Sequence, residues 1–421
     1  MRILWHSAPP WSNTGYGRCT REIGGRIHGE DHEVIIHPTA GVDDGPIHWH
    51  GEQAPFDLHH PMTIMPSSGG LGMGNVVENF DKTDSDFYLT HFDTWMNIAS
   101  QNIPEMGIPY GSYIILDHDP VPKKVTNQIM NAHRTFTMSK WAKHKLNEKG
   151  VRSKQIPHGV DTGIYQPVDW SSEDVSPTIT CQVDENKVRE VDVRDTFIVG
   201  MVAANHGDRK RIPIQMQAFK RFIDEVDDEA IMYVHTDVQS DHGHDLEQVR
   251  KELGLPRENL MWADQNIYHE LDDIGLNVWY NAFDVLLNCS QGESWGLTIT
   301  EAMAAGTPAI VTDFSSMPEQ LGVPVEGDGG KVNEFEWGYE APHGLCVYPS
   351  VGIWRERVAA KQMVVSPDDV FKALEYYHDN PDLVQKHSKN ARSHTVENYD
   401  WQNCILPKWK EQFDQLEELL L

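Results

Sequence analysis

Short apolar runs rich in β-branched residues alternate with helix-length segments along most of this chain. The predicted strands of the first half are Arg2–Trp5, Glu33–His37, Phe87–Thr90, Ser112–Leu116 and Thr135–Met138. The predicted helices between them are Tyr16–His28, Val121–Ala132 and Lys140–Lys149. Strands that alternate with helices favour parallel sheets, because each crossover helix packs on a face of the sheet. The pattern therefore predicts an α/β architecture.

The same alternation resumes in the second half. Its predicted strands are Phe197–Val202, Ile231–His235, Asn259–Trp262, Asp284–Asn288 and Ala309–Thr312. Its predicted helices are Ile214–Val226, His244–Leu253, Ile267–Asn281 and Leu297–Ala305. We expect residues 322–343 to form a loop insertion and three helical segments to close the chain. Ligands of doubly wound sheets bind beyond the carboxyl ends of the strands, so function should lie in loops that follow strands.

The length of 421 residues fits two domains. We predict an N-terminal Rossmann-like domain over residues 1–165, a polar linker or insertion over 166–195 and a second Rossmann-like domain over 196–399. The predicted C-terminal helix, residues 400–421, packs back on the first domain. The Gly/Pro-containing joint Ile156–Pro167 between two such halves predicts a cleft between the carboxyl ends of two parallel sheets.

Acidic residues outnumber basic ones by 64 to 35, for a formal net charge of −29. A surface of this sign repels phosphate backbones, so nucleic acid is an unfavourable partner. The balance favours adaptation to a salt-rich cytoplasm, with an ordinary acidic protein as the alternative. Basic residues are scarce, so any cluster of them is informative.

Hydropathy and cysteine spacing predict a cytoplasmic protein. No stretch approaches the roughly 18 to 20 apolar residues that span a bilayer, and Pro9-Pro10 ends the short apolar run at the amino terminus. The five cysteines lie far apart and form no CxxC pair. This spacing argues against a zinc site or a disulfide framework and fits a reducing compartment.

The segment Asp284–Asp313 carries the most specific pattern in the chain. An apolar strand of the kind found inside a sheet, Asp284–Asn288, is followed by the loop SQGESWG and then by the helix LTITEAMAA. A diphosphate placed on the amides of Gly296, Leu297 and Thr298 would meet the positive end of the helix dipole. Carboxylates accept hydrogen bonds from vicinal hydroxyls, as Glu293 and Glu301 would from sugars. The alternative is a plain strand–loop–helix unit with two solvated glutamates.

The string ESWGLTITE resembles the E-x7-E motif of the family 4 retaining glycosyltransferases, which have the GT-B fold of two Rossmann-like domains. The continuation EAMAAGTPAIVTDFSSMPEQLG also resembles that family. The resemblance implies that Glu293 contacts the transferred sugar and Glu301 the donor ribose. Ser294 and Trp295 lie inside the motif and are expected to bind the donor with Gly296, Leu297 and Thr298.

Three adjacent cations follow the strand Phe197–Val202, in the loop ANHGDRKR. Arg209 and Lys210 would neutralise charge on a departing nucleotide diphosphate, the first as a bidentate fork and the second as a point charge. A solvated cluster at a helix start is the alternative. The loop resembles the family's phosphate-binding Arg/Lys pair, although Ala204-Asn205 stands where the family has an early Arg.

Two loops of the first half are candidates for the acceptor side. Gly15, Tyr16 and Gly17 follow the first strand, where glycines let the backbone approach a ligand closely. His118 and Asp119 follow the strand GSYIIL and resemble the family's His-Asp pair. The resemblance implies that His118 hydrogen-bonds a sugar hydroxyl near the reacting carbon and that Asp119 orients it.

Two residue sets have the composition of a metal site. Asp117-x-Asp119 spells a DxD, and His235, Asp237, Asp241, His242, His244 and Asp245 lie close together in sequence. Acidic chains produce such clusters by chance, so we predict no metal and no cofactor other than a nucleotide-sugar co-substrate such as a UDP- or GDP-sugar.

The predicted function is metal-independent transfer of a hexose, with retention, from a nucleotide-diphosphate sugar to an acceptor hydroxyl. A glycan, a glycolipid or a protein glycan is the expected acceptor. Two alternatives stay open: a sugar phosphorylase or nucleotide-sugar epimerase of the same fold, and a non-catalytic protein that binds nucleotide sugars.

Overall fold

The computed structural model divides into two compact units. Unit 1 comprises Met1–His158, Arg355–Ala360 and Trp401–Leu421, and unit 2 comprises Gly159–Trp354 and Lys361–Asp400. The structure describes residues 1–12, 14–29, 31–93, 107–172, 176–184, 187–263, 271–326, 329–355 and 358–420. Within these ranges, no helix combines the length and the apolar character that crossing a bilayer requires.

Unit 1 is built on one eight-stranded sheet with the strand order β3-β4-β2-β1-β5-β6-β7-β8. The strands are β1 Arg2–Ser7, β2 Glu33–Pro38, β3 Ile47–Trp49, β4 Met62–Ile64, β5 Phe87–Thr90, β6 Tyr110–Ile114, β7 Arg134–Thr137 and β8 Lys154–Gln155. All neighbours pair in parallel except β3 with β4. Leu4 of β1 and Tyr88 of β5 are fully buried, as expected for a sheet covered on both faces.

Helices connect the parallel strands of unit 1. They are α1 Gly15–Cys19, a π-helical turn Thr20–Gly24, α2 Gly25–Ile27, α3 Val76–Lys82, α4 Lys123–Ile129 and α5 Lys140–Asn147. The hydroxyl of Thr14 accepts a hydrogen bond from the amide of Gly17 at 3.1 Å and so caps α1. The predicted helix Tyr16–His28 is therefore one helical stretch with a π-helical turn inside it.

Unit 2 has a second eight-stranded sheet, with the order β13-β12-β11-β14-β15-β18-β17-β16. The strands are β11 Ile198–Val202, β12 Ile231–His235, β13 Leu260–Trp262, β14 Val285–Asn288, β15 Ala309–Thr312, β16 Asn333–Glu334, β17 Gly338–Ala341 and β18 Gly344–Val347. The pairing is parallel from β13 to β18 and antiparallel at the edge formed by β17 and β16.

Seven helices are described in unit 2. They are α6 Ile212–Glu225, α7 Leu246–Leu253, α8 Asp273–Ala282, α9 Leu297–Ala305, α10 Met317–Gln320, α11 Pro367–Asp379 and α12 Pro381–Tyr399. Phe219 and Phe222 of α6 and Leu374 and Tyr377 of α11 are buried in the core that covers one face of the sheet. The helix predicted at Ile267–Asn281 is α8, which begins at Asp273 with Asp272 as its N-cap; residues 264–270 lie outside the described residues.

The C-terminal helix α13, Leu406–Leu420, belongs to unit 1. Its Trp409 is fully buried and lies 5.9 Å from the ring of Trp5 and 5.1 Å from that of Tyr113, between centroids. Large aromatic side chains buried in this way dominate core energetics. The end of the chain therefore completes the core beside β1 and β6.

Two predicted loops contain strands. The polar stretch 170–195 includes the hairpin of β9 Thr178–Asp184 and β10 Lys187–Asp192, and the predicted loop 322–343 includes β16 and β17. A further hairpin, β19 Pro349–Arg355 with β20 Ala360–Val365, was not predicted. Polar residues alternate with Ile179, Cys181 and Val183 in the sequence of β9, so the mean polarity of the stretch hid a period-two pattern.

Each sheet reverses its direction of winding at one position. In unit 1, β1 lies between β2, which follows it in the chain, and β5, from which the chain continues in the opposite direction across the sheet. In unit 2, β11 lies between β12 and β14 with the same relationship. Loops that follow the two strands at such a switch point diverge and leave a crevice for ligands. The geometry therefore selects the loops after β11 and β14 in unit 2, and after β1 and β5 in unit 1.

Candidate active site

The loop after β11 presents its cations through a fixed backbone. Arg211 has φ 51°, a left-handed conformation that is uncommon outside glycine, and it starts helix α6. The side-chain amide of Gln215 donates to the carbonyl oxygen of Lys210 at 2.7 Å, and its oxygen accepts from the amide of Cys289 at 2.9 Å. Gln215 therefore ties the loop after β11 to the first residue after β14.

Arg209, Lys210 and Glu293 form one ionic cluster. Nη1 of Arg209 lies 2.8 Å from Oε2 of Glu293, and Nζ of Lys210 lies 2.5 Å from Oε1. Arg209 also donates to the carbonyl oxygen of Gly292 at 2.8 Å. Burial opposes ionisation of Glu293, but the two cations outweigh it and lower its pKa to about 2. The carboxylate is thus charged at neutral pH, and two cations against one anion leave a net charge of +1.

Helix α9 begins at Gly296, immediately beside this cluster in sequence. Gly296 has φ 98°, and a Cβ there would lie 3.0 Å from Cδ1 of Ile299, so both strain and space favour glycine. In the part of the chain that the structure describes, no side chain caps this helix start. The hydroxyl of Ser294 and the indole nitrogen of Trp295 are buried and have no hydrogen-bond partner among the described residues. Leu297 and Thr298 form the first turn, and Asn288 donates to the hydroxyl of Thr298 at 3.3 Å.

The turn after β15 supports the loop from behind. The hydroxyl of Ser315 accepts from the amide of Glu293 at 3.0 Å. The hydroxyl of Ser316 lies 2.8 Å from the carbonyl oxygen of Glu293 and 2.9 Å from that of Trp295. Buried polar groups satisfied in this way fix a single backbone conformation. The loop that carries Glu293 is therefore held in place before any ligand arrives.

Glu301 lies in the second turn of α9 and is 3 % exposed. The hydroxyl of Tyr280, on the neighbouring helix α8, donates to Oε2 of Glu301 at 2.8 Å. A carboxylate has about four acceptor sites, so this bond leaves capacity for further donors. The structure places Glu301 on the same helix that Glu293 precedes.

The glycine loop of unit 1 lies at the β1–β5 switch point. A Cβ on Gly17 would lie 2.3 Å from the carbonyl oxygen of Ser12, whereas one on Gly15 would meet nothing within 4 Å. Only Gly17 is therefore required by close packing. The ring of Tyr16, between them, lies 5.8 Å from that of His91, the residue after β5.

The partners of His118 differ from the prediction. Nδ1 of His118 lies 2.5 Å from Oδ1 of Asp117, whereas Oδ2 of Asp119 lies 3.1 Å from Nζ of Lys145 on α5. The structure thus gives His118 a carboxylate partner other than Asp119, and the orienting role of Asp119 stays a prediction. That partner is Asp117, and Asp119 instead pairs with Lys145. The sequence pattern did not associate Lys145 with Asp119.

The two alternative metal sets do not appear among the larger clusters of ligand residues. Among the described residues, no group of three or more His, Cys, Asp or Glu side chains with ligand atoms within 4.8 Å of one another contains a member of either set. His235 instead lies 3.1 Å from the hydroxyl of Tyr233, and burial lowers its pKa to about 4.

Comparison with known proteins bears on the same part of unit 2. Residues 196–332 match a family model described as glycosyl transferases group 1. The matched range contains the loop after β11, the loop after β14 and helix α9. No curated protein matches the chain in sequence.

Solved structures match the chain over its whole length. Sucrose-phosphate synthase from Thermosynechococcus elongatus superposes with a TM-score of 0.70 at 16% identity, covering 100% of both chains. HepE of Anabaena, solved in complex with UDP and glucose, gives 0.65 at 14% identity and covers 98% of this chain and 99% of its own. A glycosyltransferase from Rickettsia africae gives 0.65 at 15% identity, with 98% of each chain covered. These matches confirm the predicted fold class, GT-B with two Rossmann-like parallel-sheet domains.

Sequence reasoning missed the residues that hold the site in shape. Gln215, Ser315 and Ser316 position Lys210 and Glu293, and Tyr280 positions Glu301. Ser315 and Ser316 were inside the string that suggested the family, so that string carried a signal for them. Gln215 and Tyr280 lie on separate helices, and no sequence pattern pointed to them, because their partners are fixed only by tertiary packing.

Proposed function

We propose that the protein is a retaining hexosyltransferase that uses a nucleotide-diphosphate sugar as donor and needs no metal at its donor site. One observation carries the proposal: Arg209 and Lys210 meet Glu293 next to an uncapped helix start, where the sheet of unit 2 changes its winding. The group 1 family match over residues 196–332 and the GT-B fold support a glycosyltransferase. HepE, which shares the fold, was solved with UDP-glucose.

The donor diphosphate would bind the cations and the first amides of α9. Arg209 supplies a bidentate fork and Lys210 a point charge, and the helix contributes its positive end. While Glu293 contacts Arg209 and Lys210, the three side chains carry a net charge of +1. When Glu293 turns to the hydroxyls of the sugar, the two cations present a charge of +2 to the diphosphate. The buried hydroxyl of Ser294, which lacks a partner among the described residues, is a further donor for this ligand.

Glu301 would accept hydrogen bonds from the ribose. Its position one turn inside α9 sets it back from the helix start, where the diphosphate would bind. The bond from Tyr280 fixes the carboxylate and supplies part of its solvation when the ribose excludes water.

The acceptor side would lie in unit 1, at His118 and at the Gly15–Gly17 loop. In a front-face displacement the bond from the anomeric carbon to the phosphate oxygen breaks, and the bond to the acceptor oxygen forms on the same face. The acceptor hydroxyl gives its proton to the departing phosphate oxygen, so no protein nucleophile is required. His118, oriented by Asp117, would hydrogen-bond a sugar hydroxyl as positive charge grows on the ring.

The test begins with the purified full chain in high salt and a thermal-shift screen of UDP- and GDP-sugars, because a ligand specific for the folded state raises the melting temperature. The best donor is then incubated with glycan and glycolipid acceptors in the presence of EDTA, and the anomeric configuration of the product is read by NMR. Transfer with retention is expected.

Four outcomes would contradict the proposal. Inversion at the anomeric carbon would exclude the front-face step. Transfer only to inorganic phosphate would identify a phosphorylase, and epimerised donor without acceptor an epimerase. Tight donor binding without turnover on any acceptor would indicate a binding protein.

A further inference from the structure

Unit 1 contains a buried group of three side chains that the proposed reaction does not use. Cys19, His91 and His158 are 5 %, 1 % and 3 % exposed, and each offers a ligand atom within 4.8 Å of the other two. They come from three separate places: the end of α1, the residue after β5 and the segment after β8. We propose that these residues bind one Zn²⁺ ion.

The donor set has the chemistry of a zinc site. Thiolate and imidazole are the ligands that Zn²⁺ prefers, with bonds of about 2.3 Å to sulfur and about 2.0 Å to nitrogen. In a tetrahedron these bond lengths place sulfur and nitrogen about 3.5 Å apart. Sγ of Cys19 lies 3.4 Å from Nε2 and 3.6 Å from Nδ1 of His158. The spacing is that of two ligands on one ion.

An ordinary hydrogen bond explains the pair less well. A single S–H···N bond places the sulfur on the lone-pair axis of one ring nitrogen. Nearly equal distances to both nitrogens place the sulfur of Cys19 between the two axes. Ligation would therefore require the His158 ring to turn about its Cβ–Cγ bond until the lone pair of one nitrogen faces the ion.

The surroundings fit a structural ion. The rings of Trp5, Tyr16 and Tyr113 lie 6.0, 5.8 and 5.1 Å from that of His91, and those of Trp5 and Tyr113 are fully buried. The hydroxyl of Ser7 lies 3.4 Å from Nδ1 of His91, where it can orient the imidazole as outer-shell partners of zinc ligands do. Three protein ligands are one fewer than a closed structural zinc site has, so a water molecule would complete the tetrahedron.

The ion would tie α1 to the sheet. Cys19 ends the helix that Gly15 begins, so binding would fix the acceptor-side loop to the carboxyl end of β5 and to the segment that contains His158. Zn²⁺ replaces the thiol proton of Cys19, which passes to solvent, and both imidazoles bind in the neutral form. The role is structural and does not depend on the proposed transferase activity.

The experiment measures bound metal on the full chain. The protein is unfolded with a chelator, refolded with Zn²⁺ alone and dialysed against metal-free buffer, and its zinc is determined by mass spectrometry. We expect one zinc per chain and a higher melting temperature than for the metal-free protein. Refolding with Co²⁺ should give tetrahedral d–d bands and a thiolate charge-transfer band. A wild-type protein that binds no metal, or that takes up copper and refuses zinc, overturns the assignment.

Variants locate the ion. Cys19→Ser, His91→Gln and His158→Asn should each lower bound zinc to less than about a tenth of the wild-type amount. Cys346→Ala removes a buried cysteine of β18 in unit 2 and should keep the full stoichiometry. Circular dichroism reports whether each variant folds. Retention of one zinc by a folded His158→Asn or Cys19→Ser protein would show that the metal is elsewhere. The cobalt charge-transfer band of the wild type tests thiolate ligation without any variant.

Discussion

Nζ of Lys210 lies 2.5 Å from Oε1 of Glu293, and the two residues come from loops that follow different strands of the unit 2 sheet. Gln215 fixes the first loop and Ser315 with Ser316 fixes the second. A buried carboxylate thus holds two cations at a helix start. On the proposed function, this arrangement presents two cations and a helix start to the donor diphosphate, and Glu293 must leave both cations to reach the sugar.

Replacing Lys210 by Met should lower kcat/KM for the donor by about 100-fold or more, because one fixed charge on the leaving group is lost. The measurement is steady-state kinetics with the best nucleotide sugar. Lys220→Met serves as control, because that lysine pairs with Asp224 on the outer part of α6 and is remote in sequence from the cluster. Equal activity of the two variants would remove Lys210 from the site.

Glu293 should make stability depend on pH. Its pKa is lowered from 4.5 to about 2 in the folded state, so the ion pair stabilises the protein above about pH 4.5 and this contribution is lost as the pH falls towards 2. Between pH 6 and pH 3.5, the wild type should lose about 1 kcal/mol more unfolding free energy than Glu293→Gln. Urea denaturation at both pH values measures the difference. Parallel loss in the two proteins would show that the carboxylate is not paired in solution.

Asp117, rather than Asp119, should support His118. Asp117→Asn leaves the imidazole without its anionic acceptor and should lower kcat by about tenfold with little change in donor KM. His118→Ala should lower turnover more than binding. Asp119→Asn is the matched control, because its carboxylate pairs with Lys145. A larger kcat loss in Asp119→Asn than in Asp117→Asn would reverse the assignment.

The hydroxyl of Tyr280 should matter for donor affinity. Tyr280→Phe removes the hydrogen bond to Glu301 and should weaken nucleotide-diphosphate binding by about tenfold, since bonds to charged groups contribute about 1.5 kcal/mol or more. Calorimetric titration with UDP or GDP measures the change. Tyr377→Phe, which removes a buried hydroxyl bonded to His387 in the same unit, should leave affinity unchanged. Glu301→Ala should weaken binding further; wild-type affinity there would contradict the ribose assignment.

Gly17 and Gly15 should differ in tolerance to alanine. Gly17→Ala places a methyl group against the carbonyl oxygen of Ser12, within 2.3 Å, and should cost about 1–3 kcal/mol of unfolding free energy. Gly15→Ala meets no atom of the described residues within 4 Å and should be within about 0.5 kcal/mol of the wild type. Thermal and urea unfolding compare the two. Similar losses in both variants would mean that helix α1 does not pack against Ser12 in solution.

The strands and helices were largely readable from periodicity. The strand Ile231–His235, the helix Leu297–Ala305 and the strand Ala309–Thr312 have the predicted bounds, because each is an apolar run bounded by Gly, Pro or polar residues. The strand predicted at Ser112–Leu116 is Tyr110–Ile114, since a run buried on both faces gives no alternation to fix its ends. The hairpin of β9 and β10 was not predicted, because its many polar residues dominated the mean polarity of the stretch.

The sequence by itself determined the α/β class, the position of the loop from Glu293 to Gly296 at a helix start and the presence of Arg209 and Lys210 after a strand. These follow from spacing along the chain, which local periodicity and helix termini obey. Tertiary structure alone decided that Glu293 pairs with both cations, that Asp119 pairs with Lys145, and that Cys19, His91 and His158 meet. Contacts between residues tens to more than a hundred positions apart depend on how strands are ordered in a sheet, and no local pattern encodes that order.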